Sequence, residues 1–292
     1  MDDYSLDSLL RPAFSDQSER LKEYFESLPA FSPATAKIVQ LSGSLNASPS
    51  EIVGAIRLDP VLTGRVLELV NSAYFSLAER VTSLNRAVVY LGLNTIKNLA
   101  LSVAVMRSIG GKDKLKELIF PAWSHSLTTA ACARGLAKAS KCPPEIAEEF
   151  FIAGLLHFVG RIVLIQAFQD THPHDWNLSR ADEKNLFGTD HCSVGGDLLN
   201  RWKFSEEMVR AVRTYSAPDS QEKLPHALNL ASAMAERLEQ ADGTRPSSEL
   251  SEYSQASLEV LGISEGDLEV ELQKVPEIVK RASAFLGGVG SA

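Results

Sequence analysis

The stretch Ser48-Pro49-Ser50-Glu51, followed by Asp59-Pro60, carries the start signals of two successive short helices. Serine and aspartate side chains accept hydrogen bonds from the first free amides of a helix, and proline is favoured at its first position. Glu51 stands three residues after Ser48, which is the spacing of a capping box. After Asp59-Pro60, apolar residues continue at helical spacing as far as Asn71, namely Val61, Leu62, Val66, Leu69 and Val70. The stretch therefore predicts short, sharply capped helices.

The same helix signals extend outward on both sides, and strand signals are almost missing. Upstream, Ser32-Pro33 repeats the start signal. Downstream, helices are predicted over 84–91, 94–108, 115–140 (one or two helices, with Pro121 opening the second), 143–156, 190–199, 205–215 and 224–238. The polar segment 171–187 predicts a loop that has room for a short helix. The predicted fold class is therefore all-α.

Composition shifts divide the chain into two helical layers and two ends. Residues 1–24 form a predicted N-terminal extension, and 25–110 a small N-terminal helical bundle. Gly110-Gly111, followed by charged residues, is the best boundary. Residues 111–286 form a larger helical lobe, and the glycine-rich 287–292 a flexible tail.

The net charge of −8 and the pI of about 5.4 argue against broad, phosphate-driven binding to nucleic acid. Residues 48–73 suggest a helix–turn–helix, and residues 50–108 hold six basic against four acidic residues. The recognition helix of a helix–turn–helix needs polar or basic residues near its N-terminus, and Val61-Leu62 does not supply them. We therefore expect no nucleic-acid partner. Oligomeric state and upstream signal cannot be read from the sequence.

Three widely spaced cysteines, Cys132, Cys142 and Cys192, include no Cys-x-x-Cys pair, so they predict neither a zinc ribbon nor a disulfide framework. The acidic first residues lack the pattern of a secretory signal. The sequence contains no run of about 18 apolar residues, so it predicts no membrane span. These features lead us to expect a cytoplasmic protein that does not enter a membrane.

The pair His157-Phe158 lies in an apolar segment, where an adjacent histidine and aspartate would be two ligands for a divalent metal that activates water. A phenyl ring has no lone pair to donate. His125 and His191 fall on two other predicted helices, so the fold could bring the three histidines together. Each histidine alone is more typical of a packed core residue than of a metal ligand.

Several segments, taken in order, resemble the HDOD domain family, whose members are related to the HD and HD-GYP phosphohydrolases. They are 28–29, 56–63, 71–74, 91–93, 123–126, 155–161, 190–195 and Trp202. The resemblance covers about residues 25–215, and it implies a helical signalling module without established hydrolase activity.

The resemblance also implies which parts of a hydrolase site are missing. His125, His157 and His191 match the metal-binding histidines of the related hydrolases, and Phe158 replaces the aspartate of the HD pair. Thr214-Tyr215-Ser216 stands where further histidines are expected, and Ser232 lies near the place of the distal aspartate. No Gly-Tyr-Pro motif is present. We therefore expect no catalytic residue, no cofactor and no bound metal.

The function expected from this resemblance is a non-catalytic signalling output or scaffold module that binds another protein. Two alternatives stay open: a metal-dependent phosphohydrolase that uses the three histidines, and a sensor that holds a nucleotide in the residual pocket.

A further cluster, Asp170, His172, His174 and Asp175, has alternating spacing that could bind a metal. A solvated loop is the favoured interpretation of that cluster.

Overall fold

The computed structural model describes residues 15–28, 31–42, 48–71, 77, 79–109, 113–172, 177–241 and 254–287. These residues form fifteen helices and no strand, so the all-α prediction is confirmed. The helices are α1 (Ser15–Ser27), α2 (Pro33–Ser42), α3 (Pro49–Arg57), α4 (Pro60–Val70), α5 (Leu84–Leu91), α6 (Leu93–Ile109), α7 (Asp113–Ala139), α8 (Pro144–Leu156), α9 (Val159–Phe168), α10 (Arg180–Phe187), α11 (His191–Arg201), α12 (Glu206–Thr214), α13 (Lys223–Ala241), α14 (Gln255–Leu261) and α15 (Glu265–Gly287).

The caps predicted from the sequence form as expected. The Ser48 hydroxyl accepts a hydrogen bond from the Glu51 amide, and the Glu51 carboxylate accepts one from the Ser48 amide at 2.9 Å. Asp59 accepts from the Leu62 amide at 3.0 Å and caps α4. Asn71 closes α4, because its side-chain amide donates to the Leu67 carbonyl at 2.6 Å. Local side-chain chemistry thus sets where these helices begin and end.

The small bundle consists of α2 to α6, and the larger lobe is built on α7, which packs against α8, α13 and α15. The contact of α6 with α8 joins the two, and one hydrophobic core runs through both. The first helix, α1, crosses the boundary predicted at residue 25 and packs on α9, where Arg20 Nε donates to the Ala167 carbonyl at 2.6 Å. The predicted boundary at 110–111 and most of the predicted tail lie outside the described residues.

Two details differ from the sequence prediction. Pro121 does not open a second helix but lies inside the single helix α7. It is on the exposed side of α7, where a missing amide hydrogen bond can be replaced by water, and packing of the opposite side keeps the helix continuous. The apolar periodicity of α4 predicts that Val61 is covered, yet Val61 is 55% exposed.

One segment, Ile146–Phe168, has the length and apolar composition of a membrane span, and 89% of its window is buried inside the fold. It consists of α8 and α9, with His157-Phe158 between them. Gly154 on α8 lies so close to α7 that an added Cβ would stand 2.5 Å from the Ala130 Cα. The segment is therefore the central core of the lobe, and its close packing places His157 beside α7.

Candidate functional site: a histidine cluster around Phe158

The three predicted histidines lie together in the larger lobe. His125 comes from the middle of α7, His157 from the break between α8 and α9, and His191 from the first position of α11. The ring centroids of His125 and His157 are 5.3 Å apart. A glycine allows α11 to approach, since a Cβ on Gly160 would stand 2.0 Å from the His191 carbonyl oxygen. The fold thus gathers side chains that are far apart in sequence.

Phe158 occupies the middle of this cluster. Its ring centroid lies 4.8 Å from that of His125, 5.3 Å from that of His157 and 4.8 Å from that of His191. The Arg161 guanidinium stands 5.0 Å from the same centroid, within range of a cation–π contact. An aromatic side chain therefore takes the space among the imidazoles.

Each histidine uses Nδ1 to donate a hydrogen bond away from that ring. His125 Nδ1 donates to Glu239 Oε1 at 2.9 Å, and His191 Nδ1 donates to Glu183 Oε2 at 2.6 Å. His157 Nδ1 donates to the Gly154 carbonyl at 2.6 Å. Metal-binding histidines are usually held in this way, with a carboxylate or carbonyl on the nitrogen that does not bind metal. The supporting contacts of a metal site are therefore present.

The other nitrogens have different surroundings. His125 Nε2 lies 3.3 Å from the Ser232 hydroxyl, and His191 Nε2 lies 2.8 Å from the Tyr215 hydroxyl. His157 Nε2 is buried and has no hydrogen-bond partner among the described residues. The hydroxyl groups of Ser232 and Tyr215 thus contact the Nε2 atoms of His125 and His191, the nitrogens that would bind a metal.

Burial and neighbouring charge push the pKa values of two histidines in opposite directions. Burial, and then the nearby imidazole of His125, hold the pKa of His157 well below its ordinary value of 6.5. Burial opposes the charged form of His191 too, but contacts with the Cys192 side chain and the Glu183 carboxylate outweigh it and raise the pKa of His191 to about 9. At neutral pH the cluster therefore holds one neutral imidazole and one imidazolium, rather than neutral rings only.

The Glu183 carboxylate balances two buried cations. Arg161 Nε lies 2.8 Å from Glu183 Oε1, and the other carboxylate oxygen binds His191. Glu183 is fully buried, and the His191 amide also donates to it, at 3.0 Å. A second pair, Asp190 with Arg180 at 2.6 Å, lies beside it, and Asp190 caps α11 through the Ser193 amide at 2.9 Å. These contacts fix the start of α11, and with it the position of His191.

A divalent metal bound by the three histidines does not fit these residues as they stand. The described residues contain no group of three or more histidine, cysteine or acidic side chains arranged to hold a metal ion. An imidazolium at His191 has no lone pair, and the Phe158 ring offers none. Glu183 and Glu239 contact the outer nitrogens and not a shared central point. The arrangement supports hydrogen bonding and packing.

The sequence identifies the three histidines and Phe158, and the family resemblance places Tyr215 and Ser232 where further ligands are expected, but no sequence signal points to Glu183 and Glu239. Glu239 is 114 residues from His125, and no local pattern marks either carboxylate as a partner of a histidine. In the Asp170 cluster, Asp170 pairs with Arg20 at 3.4 Å, and His172 bonds to the Thr171 hydroxyl at 3.1 Å. His174 and Asp175 lie outside the described residues.

Comparisons with solved structures show the same fold. A "Putative phosphohydrolase" of Shewanella amazonensis aligns with a TM-score of 0.65 at 24% identity, over 93% of this chain and 97% of the other. An HDOD domain protein of unknown function from Geobacter sulfurreducens gives 0.58 at 22% identity, over 95% and 98%. A "Putative signal transduction protein" of Marinobacter aquaeolei gives 0.67 at 21% identity, over 99% of this chain and 69% of that chain.

Sequence comparison gives the family. An uncharacterized protein of Treponema pallidum is 30% identical over an alignment of 191 residues that covers 61% of this chain and 34% of that protein. The chain therefore spans about a third of the length of this relative. The HDOD domain family matches residues 28–218, the part that holds the small bundle and the histidine cluster. On this match, the chain belongs to the HDOD domain family.

Proposed function

We propose that this protein is a non-catalytic output or scaffold module of bacterial signal transduction that acts by binding another protein. The observation that carries the proposal is the Phe158 ring among His125, His157 and His191. A metal-dependent phosphohydrolase site needs a metal-bound water and a nearby base to take its proton. Here an apolar ring lies at the centre, and the two carboxylates are already used to hold imidazoles and Arg161.

A surface on the small bundle supports the protein-binding part of the proposal. We call it the α3–α5 surface and define it by the exposed apolar residues Leu58, Val61, Val89 and Tyr90. Leu58 is 68% exposed and Val89 83%. Arg57 Nη2 donates to Asn85 Oδ1 at 3.4 Å, which joins the end of α3 to α5 one turn before Val89. Both α3 and α4 pack against α5, and exposed apolar side chains on neighbouring helices are typical of protein-interaction surfaces.

The charges around the α3–α5 surface favour an acidic partner. Arg57 on α3 has no ion pair among the described residues, whereas Arg86 on α5 pairs with Glu79 at 3.3 Å and Arg107 pairs with Asp59, beside Leu58, at 2.8 Å. The chain as a whole carries a net charge of −8, so an uncompensated arginine beside exposed apolar residues is a local exception. Complementary charge speeds association and selects partners. The partner proposed here presents apolar side chains among acidic ones.

Leu58→Glu together with Val89→Glu is expected to abolish partner binding while leaving the fold intact. Both side chains are exposed, so the substitutions cost little stability, whereas two new carboxylates repel an acidic partner. Affinity capture from a bacterial lysate, quantified by mass spectrometry and repeated with the purified partner, measures the effect. We expect at least about a tenfold loss of affinity, equivalent to ~1.4 kcal/mol.

The matched control is Phe120→Glu with Val270→Glu, two residues that are each 54% exposed on α7 and α15. It makes the same change of charge away from the α3–α5 surface and is expected to bind normally. Equal binding by both double variants would reject this surface as the docking site.

The alternative is a metal-dependent phosphohydrolase, and one observation favours it. The Nδ1 contacts of the three histidines are those of metal ligands, and His157 Nε2 has no partner among the described residues. The metal content of the native protein separates the two functions, because the alternative requires a stoichiometric transition metal.

A further inference from the structure

A cavity of about 430 Å³ lies between α2 and the C-terminal end of α11. Its lining consists of Phe31, Ala36, Val39, Gln40, Arg201, Trp202 and Lys203. It is separate from the histidine cluster: His191 and Arg201 stand at opposite ends of α11, ten residues and about 15 Å apart at the helical rise per residue. Cavities that bind small molecules have volumes of roughly 300–1,000 Å³, so this one has room for a ligand of modest size.

An aromatic pair forms the apolar wall of the cavity. The rings of Phe31 and Trp202 are stacked, with centroids 4.6 Å apart and an interplanar angle of 26°. Trp202 is almost fully buried, and Phe31, which is only partly buried, covers it. Ala36 and Val39 add aliphatic surface from α2. A flat aromatic ligand can stack on such a wall.

Two cations stand beside the aromatic wall. Arg201 and Lys203 flank Trp202 in the chain, and both are exposed. Lys203 has a φ of 60°, in the left-handed region, and the turn it makes ends α11 at the cavity. Neither side chain has an ion pair or hydrogen bond with the residues that the structure describes. Their charges are thus available to an anion.

We propose that this cavity binds an aromatic phosphate monoester of mononucleotide size. The base would stack on Phe31, the phosphate would accept hydrogen bonds from Arg201 and Lys203, and the Gln40 carboxamide could bond to a base edge. Two cations that line the same cavity suit a phosphate dianion better than a single carboxylate. The volume is near the lower end of the small-molecule range, so it suits one nucleotide and not a dinucleotide.

Isothermal titration calorimetry of the full chain tests the proposal, with adenosine monophosphate as probe and with adenosine and inorganic phosphate in separate titrations. We expect one adenosine monophosphate per chain, and at least about tenfold weaker binding of either half alone, because the wall and the cations contribute together. Failure of the native protein to bind adenosine monophosphate at millimolar concentration would overturn the proposal. So would inorganic phosphate that binds as tightly as the nucleotide.

Arg201→Gln with Lys203→Gln removes the two cations at exposed positions and is expected to weaken adenosine monophosphate binding at least about tenfold. The control, Lys22→Gln with Arg80→Gln, makes the same change of net charge at two exposed positions that do not line the cavity. Circular dichroism confirms that both variants are folded. Equal nucleotide affinity in the two double variants would contradict the assignment of Arg201 and Lys203 to the phosphate.

Discussion

Phe158→Asp is expected to create a divalent metal site in the histidine cluster. The new carboxylate adds an anionic oxygen beside His157, whose Nε2 has no partner among the described residues, and close to His125. Nitrogen and oxygen ligands together suit manganese, iron or zinc. Without metal we expect the variant to lose about 3 kcal/mol of unfolding free energy, because a packed aromatic ring is lost. Metal at a hundredfold excess over its Kd should restore ~2.7 kcal/mol.

Thermal unfolding with and without manganese or zinc measures this gain. Phe158→Leu is the matched control, since it also removes the ring but supplies no ligand, and its Tm should not respond to metal. Binding to the aspartate variant should strengthen as pH rises toward 9, because His191 must lose its proton before it can bind a metal. A Tm of Phe158→Asp that is insensitive to both metals would show that the histidines cannot form a site even with a carboxylate.

Glu183→Gln is expected to lower the unfolding free energy by about 3–5 kcal/mol, which is the range for removal of one partner from a buried ion pair. The substitution keeps the size and shape of the side chain but leaves Arg161 and His191 without an anion. Urea denaturation at pH 7 measures the loss. Glu222→Gln is the control, because Glu222 pairs equally closely with Arg210, at 2.7 Å, on the exposed surface. An ion pair on the surface contributes at most about 1 kcal/mol to the unfolding free energy, so Glu222→Gln should lose no more than that.

The same variant should change how stability depends on pH. In the native protein the folded pKa of His191, about 9, lies above its ordinary value of 6.5. Its contribution is therefore complete below pH 6.5 and is lost as pH rises to 9. His157 acts in the opposite direction, since its lowered pKa removes stability as pH falls below 6.5. We expect Glu183→Gln to reduce the loss of unfolding free energy between pH 6.5 and 9. An unchanged loss would show that Glu183 does not stabilise the protonated form of His191.

Local capping chemistry explains why so much of the fold could be predicted. Ser48, Asp59 and Asn71 each bond to amides or carbonyls within a few residues, so their effect is visible in the sequence alone. The sequence leaves one or two helices open over 115–140, and Pro121 starts no second helix because the packing of α7 against α8, α13 and α15 keeps the helix continuous. Val61 fits the apolar periodicity of α4, but periodicity does not say which apolar residues a neighbouring element covers.

Of the residues in the site, only the three histidines and Phe158 could be predicted from the sequence. Their identities, and the aromatic residue at 158, can be read directly from the chain, whereas the carboxylates that hold them lie on other helices, Glu183 eight residues from His191 and Glu239 114 residues from His125. Glu183 lies in the polar helix α10, yet it is fully buried and paired with Arg161 and His191. The raised pKa of His191 follows from its contacts with Cys192 and Glu183, which outweigh its own burial, and so it could not be expected from sequence spacing.

The metal content of the native protein tests the central claim most directly. Protein purified without chelator and analysed for iron, manganese and zinc should contain none of them at a stoichiometric level, because the Phe158 ring separates imidazoles that already have other partners. One tightly held transition metal per chain, lost when His157 is replaced by glutamine, would contradict a non-catalytic cluster and support the hydrolase alternative.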